Sequence, residues 1–147
     1  MLMMASETTT AIFWPMIVHV VLVAIVYAVL TFRRSDAVRA GEVKASQFRE
    51  NRAEPERSLF VRNNLQNQFE LPTLFYPVCI ALYVTGGANL YTTLLAWLFV
   101  IARYVHAWIH IRTNDLRYRR PVFMAGSLLL MLMWLAFAVN LITVELG

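Results

Sequence analysis

What constrains this chain most is the length of its charge-poor apolar runs. A helix needs about 20 such residues to cross the roughly 30 Å hydrocarbon core of a bilayer, and four stretches reach that length, over about 12–32, 65–85, 90–111 and 122–144. The last is the most uniformly apolar. The second opens with Gln66, Asn67, Gln68 and Glu70, yet its remainder is too apolar to stay in water. Hydrophobic residues make up 59% of the chain and charged residues 15%, against roughly 45–50% and 25% in soluble domains. The expected architecture is therefore all-α, an integral membrane four-helix bundle forming a single domain over residues 1–147. No basic residue precedes the first run and Arg33-Arg34 follow it, so it reads as a retained helix rather than a cleavable signal peptide.

The charges set a direction. Eight of the 13 Lys/Arg lie between the first two spans or at the start of the second, namely Arg33, Arg34, Arg39, Lys44, Arg49, Arg52, Arg57 and Arg62. Arg112, Arg117, Arg119 and Arg120 lie between the third and fourth, while the tails and the Gly86-Gly87-Ala88-Asn89 turn carry none. By the positive-inside rule the segments 33–62 and 112–121 are cytoplasmic loops and both termini lie outside the cytoplasm. The net charge of +4 is thus accounted for by topology, with no nucleic-acid partner required. A single cysteine, Cys79, excludes an intramolecular disulfide and a CxxC pair; amid apolar neighbours it reads as inert packing.

Two polar stripes interrupt the apolar spans. Asn63, Gln66, Asn67 and Glu70 are spaced i, i+3, i+4, i+7, which would place them on one face of a continuous second helix. Arg103, His106 and His110 form a matching stripe on the third. At about 1.5 Å per residue, Glu70 lies roughly 10 Å in from Asn63 and Arg103 roughly 13 Å in from Arg112, so the stripes share a depth and Glu70 is expected to pair with Arg103. Such groups either glue helices together or line a polar pocket. A pocket rimmed by Arg112, Arg117, Arg119 and Arg120 suits an anionic ligand, with the lipid phase beside it for an apolar co-substrate. Pro72 and Pro77 predict a kink beyond the stripe, and Pro121 suits the first turn of the fourth helix.

The segment from Arg62 to Tyr76, with Asn67-x-x-Glu70 followed by Pro72, resembles the signature of the MAPEG superfamily, the membrane-associated proteins in eicosanoid and glutathione metabolism. Arg103-x-x-His106-x-x-x-His110 and the basic run Arg117 to Arg120 are similar to that family's third-span and loop patterns. The Asn-Gln-Phe-Glu-Leu-Pro version looks like bacterial members, which would place the chain in a bacterial inner membrane. The resemblance implies a homotrimer binding glutathione between subunits near the cytoplasmic face, contacting membrane lipids and a lipophilic small molecule. It implies that Asn67 and Glu70, beside Asn63 and Gln66, hold the polar ends of glutathione. Arg103, His106, His110 and Arg117 would line the same pocket, and Arg120 or Arg119 would stabilise the thiolate. The chain departs from the family's catalytic pattern at Asn63, where an arginine is usual, at Gln66, at His110 in place of Tyr, and at Phe123, which lacks a hydroxyl.

The implied chemistry is thiolate attack on a lipophilic electrophile or reduction of a lipid hydroperoxide. Two other readings stay open. A non-catalytic lipid-binding scaffold would keep the grooves without activating glutathione. Haem ligation in the bundle would use His19 with His106 or His110, although His19 lies at a different depth; no metal site is otherwise expected.

Overall fold

The computed structural model describes residues 9–50 and 54–146, including all their side chains except those of residues 49 and 50. Arg52 and the side chain of Arg49 therefore lie outside the described residues. Among the described residues six α-helices follow in order: α1 (Phe13–Arg39), α2 (Ala45–Glu50), α3 (Glu56–Gln68), α4 (Phe75–Val84), α5 (Leu90–Arg112) and α6 (Leu116–Leu146). No strand occurs among the described residues. The segments Thr10–Arg39, Leu90–Arg112 and Leu116–Leu146 are long and apolar enough to cross a membrane.

The second expected span is two pieces rather than one helix. Proline's ring clashes with the carbonyl four residues back and offers no N–H. Pro72 thus acts against helix at Gln68, the last residue of α3. The chain bends through Phe69 and Glu70, makes a 3-10 turn at Leu71–Leu74, and restarts as α4. Pro77 is the third residue of α4, where a backbone N–H has no intrahelical partner anyway. The interruption begins before Glu70, not beyond it, and takes that carboxylate off the helix face it was expected to share with Asn63, Gln66 and Asn67.

Buried residues of α1 recur at Pro15, His19, Leu22, Val26 and Leu30, a single stripe at helical spacing. On α5 the buried stripe runs through Leu95, Phe99, Arg103, His106 and His110, so an apolar core passes into a polar one along the same face. Helix α6 packs most extensively on α5. Gly126 of α6 is buried, and a Cβ there would stand 3.6 Å from Ala102 Cβ; small residues let helices approach in this way. The outer faces of α1, α5 and α6 expose large apolar side chains such as Trp14, Ile17, Leu98, Leu128 and Leu135, as lipid contact requires.

Both ends of the bundle are built by local capping. Gly86, at φ 74°, ends α4, with Gly87 N–H and Ala88 N–H both donating to Leu82 O. Asn89 and Thr92 then form a reciprocal capping box that starts α5. Thr9 N–H donates to Ala88 O, and Asn140 of α6 donates to Thr85 O and Oγ1, which ties both chain ends to this turn.

At the opposite end, Asn114 takes φ 52° and Asp115 Oδ1 accepts from Arg117 N–H, so α6 starts at Leu116. The expected loop 112–121 shrinks to a three-residue turn, because Asp115 caps the helix before the arginines. Arg117, Arg119 and Arg120 sit on the first turns of α6, and Pro121 lies inside that helix.

The longer segment 33–62 is largely helical as well. Helix α1 continues past Phe32 to Arg39, and Arg57 and Arg62 stand on α3. Glu54, whose side chain is only 5% exposed, anchors the connection: Arg34 Nε and Nη2 donate to its two oxygens at 3.0 and 2.6 Å. Ser58 Oγ donates to the same carboxylate and Arg62 Nε lies 3.9 Å away. Burial alone would push the Glu54 carboxyl up; hydrogen bonds from Arg34 and Ser58 and the charges of Arg34 and Arg62 more than offset it and hold the group below its ordinary value.

Candidate functional site

Packing against α1 and α5 decides which polar residues of α3 face inward. Ser58, Val61, Asn64 and Gln68 are buried, whereas Asn63 and Gln66 are exposed and Asn67 is half-buried between the two faces. The polar run occupies both sides of the helix, so its own periodicity is ambiguous. Val61, an apolar residue of the same stripe, marks the inward face and points to Asn64 and Gln68, neither of which was an expected site residue.

On α5 the expectation and the fold agree. Arg103, His106 and His110 are buried together, and Arg103 is 3% exposed. Its guanidinium does not pair with Glu70: no ion pair within 4.0 Å joins them among the described residues, and Glu70 is exposed. Instead Nε and Nη2 donate to Gln68 Oε1 at 3.3 and 3.1 Å, and Nη2 also donates to Asn67 O at 3.1 Å. The hydrogen bonds to the buried cation are therefore made by neutral acceptors, and the Glu70 carboxylate acts on it only through space. Gln68 Nε2 donates in turn to Asn64 Oδ1 at 3.2 Å. The amide nitrogens of Asn64 and Asn67 both stand 3.4 Å from His110 Nδ1.

A cleft of about 230 Å³ opens beside this network, lined by Asn67, His106, Leu116, Arg119, Arg120 and Phe123. Three elements contribute: α3 supplies an amide, α5 an imidazole, and the first turns of α6 two guanidiniums and an aromatic wall. His106 packs against the rings of His110 and Phe123 with centroids 5.5 and 5.6 Å apart, and its buried Nδ1 has no hydrogen-bond partner. Arg119 Nη1 donates to Asn114 Oδ1, which steadies one of the two cations from the α5–α6 turn.

The remaining expected site residues lie around this cleft rather than in its lining. Arg117 shares a more open groove with Arg120, Pro121 and Met124. Arg112, expected on the rim, stacks over the Trp108 ring at 4.7 Å. Asn63, Gln66 and Glu70 are exposed, away from the core of the chain. His19 is hydrogen-bonded to the Tyr76 hydroxyl at 2.6 Å and surrounded by Phe75, Tyr76 and Phe99, outside the lining of the cleft that contains His106. Cys79 is buried in the apolar core.

Chemically, the cleft offers two cations and an amide against the ring of His106, beside an apolar outer surface. It suits a polar, anionic molecule that enters from the basic end. Comparisons with curated proteins and with solved structures each returned no match. The model of the MAPEG family matches residues 11–139, which include every residue lining the cleft, and the chain belongs to that family as an integral membrane protein.

Proposed function

We propose that this protein binds glutathione in the cleft between α3, α5 and α6 and presents its thiolate to a lipophilic electrophile or lipid hydroperoxide. The observation that carries the reading is the convergence of Asn67, His106, Arg119 and Arg120 on one cleft beside the buried Arg103. Glutathione is a tripeptide with two carboxylates and a thiol, and when bound it supplies the nucleophile. Arg119 and Arg120 lower a thiol's pKa by favouring its charged form. Asn67 supplies neutral hydrogen bonding, and Phe123 keeps water from one side of the reacting sulfur.

The exposed polar residues favour assembly. Asn63, Gln66 and Glu70 lie on the outside of a protomer read as membrane-embedded, where unsatisfied polar groups are costly. A neighbouring subunit covers them in a homotrimer and makes them available to the ligand from the other side of the interface. Glu70 then meets the amino group of glutathione rather than Arg103. The basic ends of the helices face the cytoplasm, in a bacterial inner membrane.

Glutathione is expected to raise the melting temperature of the detergent-solubilised protein, and Arg103→Ala or Glu70→Gln to abolish the rise. An unchanged melting temperature at several millimolar glutathione would refute the reading. The scaffold alternative rests on Phe123, an aromatic wall without a hydroxyl for the sulfur; it predicts stabilisation by lipid with none by glutathione.

A further inference from the structure

Hydrogen-bond polarity is fixed at one end of the α3–α5 network and passes through it. Arginine has five N–H donors and no acceptor. Gln68 must therefore turn its oxygen to Arg103 Nε and Nη2, which leaves its NH2 group to donate to Asn64 Oδ1. Asn64, its oxygen engaged by Gln68, turns its own NH2 group to His110 Nδ1, and Asn67 Nδ2 stands at the same 3.4 Å. An imidazolium has no acceptor, and the Nδ1–H tautomer has its acceptor on the other nitrogen. Amide and imidazole orientations are settled by such networks; with Asn64 oriented by Gln68, an unprotonated Nδ1 on His110 is the partner that its NH2 group calls for.

We propose that Gln68 and Asn64 are positioning residues that transmit the donor polarity of Arg103 to His110, holding it neutral with its proton on Nε2. Neither residue lines the cleft, nor do Arg103 and His110; the network reaches it through His110, whose ring packs against that of His106. The consequence for the ligand rests on the glutathione reading above. His110 then stays neutral behind the ring of His106, and the site's positive charge stays on Arg103, Arg119 and Arg120. Glutathione would meet fixed cations and oriented amides with no proton to be rearranged on binding.

The test is isosteric. Gln68→Glu keeps the shape but replaces the NH2 group with a second acceptor. Asn64 must then reverse its amide to donate to it, which turns Asn64 Oδ1 towards His110 Nδ1 and calls for a proton there. The full chain has three histidines, so nitrogen NMR of 15N-histidine-labelled protein in lipid bilayers resolves each ring, with assignment from His19→Gln and His106→Gln. The wild-type protein is expected to show His110 with Nδ1 unprotonated and Nε2 protonated. Gln68→Glu should move the proton to Nδ1, and Asn64→Asp, which presents a carboxylate oxygen directly, should do the same while leaving His19 unmoved. A wild-type His110 protonated at Nδ1, or one unmoved by both substitutions, would overturn the proposal. Glutathione titration of the same samples separates the two readings. Gln68→Leu is expected to weaken binding about tenfold, the equivalent of one lost charge-assisted hydrogen bond. Wild-type protein that binds no glutathione refutes the proposed function and leaves the tautomer result to stand by itself.

Discussion

Gln68→Leu should destabilise the bundle, and the size of the effect follows from what it orphans. Arg103 is 3% exposed. Its Nε has Gln68 Oε1 as its partner, whereas Nη2 keeps Asn67 O when Gln68 is lost. Asn64 Oδ1 also loses its donor. A hydrogen bond to a charged group contributes about 1.5–3 kcal/mol in soluble proteins. Interhelical bonds inside membranes average about 0.6 and reach about 1.7 kcal/mol. Two contacts to a buried cation place the loss near 2 kcal/mol, between those limits. Arg103→Met alone leaves only neutral acceptors unsatisfied and should cost about 1 kcal/mol. Replacing both partners removes the stranded charge, so the double variant should be more stable than Gln68→Leu alone, with a coupling of about 2 kcal/mol. The assay is equilibrium unfolding in mixed micelles, followed by fluorescence of the four tryptophans. Additivity within about 0.5 kcal/mol would refute the claim that Gln68 holds the arginine.

Other consequences can be checked separately. Glu54 titrates below its ordinary value of 4.5, so its contribution to stability is present above that pH and is lost as pH falls through the depressed folded-state value. Protection factors over Ala45–Glu50, taken relative to the intrinsic exchange rate at each pH, should fall on acidification, and Glu54→Gln should show the low protection already at neutral pH. Gly87→Ala would place a Cβ 2.8 Å from Asn140 Cγ, disturbing the clasp on Thr85. A loss of about 1–3 kcal/mol is expected, and Asn140→Ala should relieve most of it in the double variant. Arg119→Ala and Arg120→Ala should each reduce bound thiolate, read by its ultraviolet absorbance. A lost cation within about 4–6 Å raises a thiol pKa by about 1–3, so the pH at which half the bound thiol is ionised should rise by that amount for the arginine that contacts the sulfur.

Much of this arrangement was legible in the residues. Apolar run lengths identified α1, α5 and α6, and the spacing of Arg103, His106 and His110 put all three on one buried face. The Gly86–Asn89 turn carried its own capping chemistry. What was hidden depended on single residues that act over a turn or more. Pro72 ends α3 at Gln68 and so removes Glu70 from a stripe whose spacing looked continuous. Asp115 starts α6 before the arginines, turning an expected loop into helix. Five of the six residues Asn63 to Gln68 are polar, so only tertiary packing against α5 selects Asn64 and Gln68 for the interior. Spacing alone pairs Arg103 with the carboxylate at its depth, whereas the backbone break turns Glu70 outward and leaves the amide of Gln68 in hydrogen-bonding reach.

The central claim is that this cleft holds glutathione at a subunit boundary. Its most direct test is an electron cryo-microscopy structure of the protein in lipid nanodiscs at saturating glutathione. Three-fold particles are expected, with tripeptide density between neighbouring subunits, touching Asn67 and at least one of Arg119 and Arg120, with Glu70 at its amino end. Particles without three-fold symmetry, or three-fold particles in which that cleft contains lipid or no ligand density at all, would contradict it.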